Sequence, residues 1–225
     1  MSSPYIYEKV VEMIPINHIK HSERFNVNYE RNLEDLISSI KERGLIYPII
    51  VRPKGDYFEI VAGNRRFEAC KRLGWKYIPC IVEELDDKDA LLVNIIENLQ
   101  REDIDPITEA ELFKEYVDKY GRGSVSELAK SIGKSVAYVS QRLSLLKLPE
   151  PIKEMLRNNE IKPSVGRELL RLKDKSKLED AGKKVVGKTV REAQSLITLA
   201  NAYNNYNDDR EMILKVYKKA LLVLK

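Results

Sequence analysis

Apolar and polar positions change period several times along the chain, and each change marks an element. In residues 57–62, Phe58, Ile60 and Ala62 alternate with Tyr57, Glu59 and Val61, the period of a strand. Directly after Gly63, Phe67, Cys70 and Leu73 recur at helical spacing. The same reasoning predicts a short apolar strand over residues 10–14, ended by Pro15, then a turn and one helical turn over residues 16–22. His18 and His21 are ordinary polar positions in that turn. A helix over 32–43 follows, with Leu33, Leu36, Ile37 and Ile40 on one face and Gly44 as its cap. Residues 47–52 form a buried strand and 53–56 a hairpin turn back into the 57–62 strand. A further strand covers 78–82, and a helix carrying Ala90, Leu91, Val93, Asn94 and Glu97 covers 87–100.

The second half has helical periods only. Residues 106–120 carry Ala110, Leu112, Phe113, Tyr116 and Val117 on one helix, closed by Gly121 and Gly123. Residues 124–147 then have the register of a helix-turn-helix. Leu128 and Ile132 face inward on the first helix, the small Ala129 sits at the crossing, Gly133 turns the chain, and Val136, Val139 and Leu143 anchor the second helix. Ser135, Ala137, Tyr138, Ser140, Gln141 and Arg142 are left outside. Their hydroxyls suit phosphates, and Gln and Arg suit base edges. A plain helical hairpin in a bundle is the alternative. Beyond Pro149 the chain reads as helices broken near Pro151, Pro163, Gly182 and Gly187. Ile152, Met155 and Leu156 form one apolar face, and Leu169, Leu170 and Leu172 another. Thr189 and Glu192 form a capping box for a helix reaching Tyr203, and a last amphipathic helix covers 212–224.

A chain of 225 residues suits two modest domains, and 43% hydrophobic with 33% charged residues describes a well-folded, helix-rich protein. No apolar run approaches a membrane span, and the first residues lack a signal-peptide pattern, which points to the cytoplasm. Cys70 and Cys80 have no metal spacing and read as buried free thiols. The net charge of +4 conceals an asymmetry: residues 1–120 hold 17 Lys and Arg against 23 Asp and Glu, residues 121–225 hold 22 against 12. A basic half beside an acidic half suggests a nucleic-acid partner for the basic one.

Chemistry concentrates at two places in the acidic half. Gly63 lets the backbone turn tightly from strand into helix. The first amides of that helix have no intrahelical partners, so an anion fits there, with Arg65 and Arg66 supplying guanidinium forks for phosphate oxygens. The second place is the polar cluster of residues 97–106, where Glu97 beside Asn98 could hold a metal-bound phosphate or orient water. A solvated helix end is the other reading of that cluster.

With these residues in view, the chain resembles the ParB family of partition proteins over nearly its whole length. The segment from Gly44 to Arg52 looks like the family's first nucleotide segment, Gly63-Asn-Arg-Arg66 like its Gly-Glu-Arg-Arg phosphate box, and Glu97-Asn-Leu-Gln-Arg101 like its third segment. The helix-turn-helix ending at Pro149 is the fourth part, and residues 164–170 resemble the helix that supports it. The resemblance implies an α+β protein: a small ParB/sulfiredoxin-like α/β domain over residues 1–103, then an all-helical DNA-binding domain over 104–225. It implies a CTP site with Mg²⁺ drawing on Gly44, Pro48, Arg52, Gly63, Asn64, Arg65, Arg66, Asn98, Gln100 and Arg101. Asn98 would help hold the metal, and Glu97 would be the catalytic residue of at most a slow CTPase. Lys134, Ser135, Ala137, Tyr138, Ser140, Gln141 and Arg142 would meet a palindromic centromere-like DNA site. The implied partners are a second copy of the chain and a ParA-type ATPase, with a nucleoid- or plasmid-associated location and no membrane. Asn64 stands where the family carries glutamate. The rivals are a ParB-like transcription regulator and a ParB-like small-molecule kinase; a sulfiredoxin would need a cysteine where Asn64 stands.

Overall fold

The computed structural model describes residues 10–22, 33–101 and 104–205, which leaves the helix expected over 212–224 outside the described residues. The chain divides into two compact units, residues 1–97 and 98–225.

The first unit is built on one mixed sheet. Its strands are β1 (Val11–Pro15), β2 (Ile19–Lys20), β3 (Ile49–Lys54), β4 (Tyr57–Ala62) and β5 (Tyr77–Val82), in the order β1-β5-β3-β4-β2. The hairpin β3–β4 is antiparallel and turns at Gly55, whose φ of +65° suits glycine. β5 joins β3 in parallel, and β1 closes that side antiparallel to β5. Pro15 is the last residue of β1 and pairs opposite Tyr77. A proline is tolerated there because β1 is an edge strand. The helical turn expected over 16–22 shrinks to a 3₁₀ turn, Ile16–His18, because Ile19 and Lys20 pair with β4 as β2.

Helices α1 (Glu34–Arg43), α2 (Asn64–Arg72) and α3 (Asp87–Leu99) complete the layer. Ile14, Ile40, Ile49, Val51, Ile60, Phe67, Cys70, Ile78 and Cys80 interlock as one core. β4 is buried on both sides over its last four residues, which turns the expected alternation into a continuous apolar end. Asn94 of α3 reaches that end and donates to the Val61 carbonyl at 3.2 Å.

The second unit is helical in its described residues: α4 (Pro106–Tyr120), α5 (Ser124–Ser131), α6 (Val136–Leu145), α7 (Glu150–Arg157), α8 (Pro163–Leu169), α9 (Leu178–Val185) and α10 (Val190–Asn205). The boundaries follow local chemistry. Asp105 caps α4 by accepting from the Ile107 and Thr108 amides, with Pro106 in the first turn. At α10 the capping box is closed, Thr189 N donating to Glu192 at 2.7 Å and Glu192 N to Thr189 Oγ1 at 3.3 Å. Gly182 departs from expectation: it lies inside α9 and is buried, and a Cβ there would sit 3.1 Å from Ile152. It marks a close helix contact rather than a break. Leu145, Ile152, Leu156, Val165, Leu169, Leu178, Val185 and Ile197 are at the centre of this unit's core.

Candidate functional site

In the first unit β4 ends at Ala62, and Gly63 swings the chain into α2 with φ +99° and ψ 27°. Only glycine fits. The conformation is left-handed, and a Cβ would lie 2.8 Å from Ile49 Cγ2 and 3.1 Å from Ile49 Cβ. The first amides of α2 therefore emerge directly from the sheet without a capping side chain, which is the arrangement of a helix N-terminal anion site. Arg66 Nη1 donates to the carbonyls of Tyr47 at 3.1 Å and Pro48 at 2.7 Å, tying the loop after Gly44 to α2. Burial pulls the Arg66 guanidinium below the ordinary arginine value, and the negative charge of Glu97 opposes that shift. Arg65 is half-buried beside it. Gly44, with φ +76°, caps α1 four residues before Pro48.

The structure thus gathers Gly63, Asn64, Arg65, Arg66 and Pro48, with Glu97 close enough for its charge to act on Arg66. Arg52 has a different setting. It is 4% exposed, its Nε donates to Glu59 at 2.8 Å and its Nη2 to Asp87 at 2.6 Å, and Lys54 also holds Glu59. A guanidinium with two carboxylates has its charge answered inside the protein. For Glu59, burial alone would raise the carboxyl, but the bonds from Lys54 and Arg52 carry it below the usual value. In the other segment, Asn98 is buried, its carbonyl accepts from Arg101 N at 3.2 Å, and Gln100 is exposed. Among the described residues, no group of three or more His, Cys, Asp or Glu could hold a metal. An octahedral Mg²⁺ that keeps waters and phosphate oxygens as ligands needs only one or two protein donors, and Glu97 and Asn98 are of that type.

In the second unit α5 and α6 form the helix-turn-helix. Gly133 turns at φ +66°, and Ser135 caps α6 by accepting from Tyr138 N at 3.1 Å. Leu128, Ala129, Val139 and Leu145 are buried, Leu145 within the unit's main core. Val136 is 48% exposed and Leu143 half-buried, so the inward anchors are Val139 and Leu145. Val136 is the first helical residue after the Ser135 cap and shares a face with the exposed Ser140. The outer surface is Lys134, Ser135, Val136, Ala137, Ser140 and Gln141.

Tyr138 and Arg142, expected outside, turn back towards α4. Glu109, 3% exposed, accepts from Tyr138 Oη at 2.6 Å and forms an ion pair with Arg142, Nε to carboxylate oxygen 2.7 Å. The Arg142 guanidinium lies 5.0 Å over the Tyr138 ring. Burial and the Glu109 bond push the Tyr138 phenol up. Beside this cluster a groove of about 330 Å³ runs between α6 and α8, lined by Tyr138, Gln141, Arg142, Lys162, Ser164 and Arg167. Glu109 gives no sequence signal, since its partners lie about thirty residues away.

Comparison with known proteins adds the following. A family profile described as the ParB N-terminal domain matches residues 3–99, and one described as the ParB HTH domain matches residues 102–202. The chromosome-partitioning protein Spo0J of Thermus thermophilus is 37% identical over 169 residues, 74% of this chain and 62% of that protein. The probable chromosome-partitioning protein ParB of Pseudomonas putida is 35% identical over 198 residues, 85% of this chain and 67% of that protein. The chain therefore spans less than two thirds of the length of the Thermus relative. The C-terminally truncated ParB of Caulobacter crescentus, crystallised with the centromeric parS site, is 33% identical with a TM-score of 0.62, covering 83% of this chain and 98% of that one. No helix among the described residues is long and apolar enough to cross a membrane.

Proposed function

The chain belongs to the ParB family, and from that premise we propose that it is a site-specific DNA-binding protein of DNA segregation, plasmid or chromosomal. It recognises a palindromic centromere-like site as a homodimer and works with a ParA-type ATPase. The observation that carries this reading is the outer face of α6. Lys134, Ser135, Val136, Ala137, Ser140 and Gln141 reach solvent from a helix whose opposite face is buried and whose N-terminus is capped. Such a helix can enter a major groove with its first turn on base edges and its lysine and serine on phosphates. Gln141 supplies the bidentate donor and acceptor pair that suits adenine. The likeness to a ParB crystallised with its parS site supports the assignment.

The N-terminal unit, in the same reading, binds CTP with Mg²⁺ and uses it to close two protomers into a DNA clamp. Gly63, the first amides of α2, Arg65 and Arg66 would cradle the triphosphate, Asn98 would help hold the metal, and Glu97 would assist hydrolysis. CTP supplies the charge that these groups answer. Asn64 cannot serve as a carboxylate base, so turnover is slow and depends on Glu97. Arg66 also holds the Tyr47 and Pro48 carbonyls, so Arg66→Ala weakens both the ligand and the loop.

The test is recovery of genomic fragments on the purified protein followed by sequencing. One cluster of related palindromes is expected. Scattered promoter fragments would replace partition by regulation, and calorimetry with the four ribonucleoside triphosphates decides the nucleotide.

A further inference from the structure

Both nitrogens of the His21 ring are engaged, and both partners lie on α2. Nδ1 is 2.7 Å from Asn64 Oδ1, Nε2 is 2.6 Å from Glu68 Oε1, and the ring meets Phe67 edge-on with centroids 5.1 Å apart. Asn64, Phe67 and Glu68 fall at positions i, i+3 and i+4, so one ring holds one face of the first turn. Asn64 is the first residue of α2, 6% exposed and adjacent to Gly63.

The proton positions follow from the partners. A carboxylate only accepts, so Nε2 carries a proton whichever form the ring takes. Nδ1 faces an amide oxygen, a second acceptor. With the Asn64 amide oxygen towards the ring, only the doubly protonated ring satisfies both contacts together. A neutral ring protonated at Nε2 has to lose the Asn64 contact or turn the amide over so that its NH₂ donates. Among the described residues the charged groups shown near the ring are Glu68 from α2, with Lys71 Nζ 3.8 Å from the same carboxylate oxygen, and its chain neighbour Lys20, which lies 4.2 Å over the Tyr57 ring. Arg66 is turned to the Tyr47 and Pro48 carbonyls.

We propose that His21 is a positioning residue for the nucleotide site: as imidazolium it grips the first turn of α2, and on losing the Nδ1 proton it releases Asn64 and loosens that turn. The proposal rests on the reading of Gly63, Asn64, Arg65 and Arg66 as the phosphate cradle. It makes triphosphate affinity depend on proton concentration through a residue that does not touch the ligand.

The experiment has two arms. In the first, CTP affinity in Mg²⁺ is measured by calorimetry from about pH 5.5 to 8.5 for the wild type and for His21→Gln, which keeps a hydrogen-bonding side chain without a titratable proton. The terminal phosphate titrates in the same range, so the ratio of the two affinities is the quantity read. The wild type should bind about tenfold tighter at the acid end, the worth of one charge-assisted hydrogen bond, and the advantage should vanish at the alkaline end. A ratio that stays constant across the range overturns the proposal. In the second arm, ring ¹H–¹⁵N spectra of the free protein report His21 directly; the chain has two histidines, and His18→Gln assigns them. Both His21 nitrogens should be protonated at the acid end, and a bare Nδ1 there in the folded protein sinks the grip. CTP binding by neither protein at any pH, with the doubly protonated ring still seen, removes the nucleotide reading and the positioning role but leaves the grip.

Discussion

Replacing Gly63 with alanine tests the geometry on which the anion site depends. Two penalties are separable. A non-glycine residue at φ +99° is strained by about 1–2 kcal/mol. The new Cβ would also lie 2.8 Å from Ile49 Cγ2, and Ile49 is fully buried against the sheet core, so it has nowhere to move. Overpacking of that kind costs about 1–3 kcal/mol. Gly55→Ala is the control. Its φ is +65°, and a Cβ there meets nothing within 4 Å, so it carries the strain without the clash. Both substitutions lower the entropy of the unfolded chain equally, and the difference between them isolates the overlap with Ile49. Gly63→Ala should therefore be about 1–3 kcal/mol less stable than Gly55→Ala. Urea unfolding followed by fluorescence reads this unit alone, because Trp75 is the one tryptophan of the chain and packs on the unit's core. Equal midpoints for the two variants would refute the close approach and the turn argued from it.

Three other outcomes follow from the same structure. Glu59→Gln leaves the buried Arg52 with Asp87 but without one of its two carboxylates, so at neutral pH it should cost about 1–3 kcal/mol. Because the native Glu59 carboxyl lies below its ordinary value of 4.5, its contribution is complete above that value and is lost as pH falls through the depressed native one. Acid titration of stability should thus be steeper in the wild type than in the variant. Gln141→Ala should cost about 1–3 kcal/mol of discrimination between cognate and random duplex in binding titrations, whereas equal losses on both would make Gln141 a phosphate contact. Burial pushes the Cys70 thiol up to about 11 and the Cys80 thiol up to about 12, so neither should react with a thiol reagent at pH 8 until the unit is unfolded in denaturant; rapid native labelling would contradict their burial.

Elements whose causes are local were legible in the sequence. The Pro106 start of α4, the Thr189–Glu192 box of α10, the Gly133 turn and the change of period at Gly63 each depend on residues within a few positions of one another. The misplaced features depend on residues far apart in the chain. His21 reads as an ordinary polar position until β2 pairs with β4 and carries it to Asn64, 43 residues on. Tyr138 and Arg142 read as outward until α4 brings Glu109 beneath them. Arg52 belongs to a matched nucleotide segment, yet Asp87, 35 residues away, joins Glu59 in holding it. Periodicity assigns a residue to a face, and only tertiary pairing assigns it a partner.

The order of strands also imposes an order in time. β1 has its ladder with β5, Val11 opposite Ile81 and Pro15 opposite Tyr77, so the first strand of the sheet is completed by the last. A ribosome adding about 5–20 residues per second needs on the order of ten seconds to make the intervening chain. Throughout that interval Val11 and Met13, still 51% and 61% exposed in the finished fold, belong to a strand without its neighbour. Among the described helices of the second unit, neighbours in sequence such as α5 and α6 pack on each other without that wait. The sheet unit leaves the ribosome before the helical one, and its edge can close only once β5 has been made.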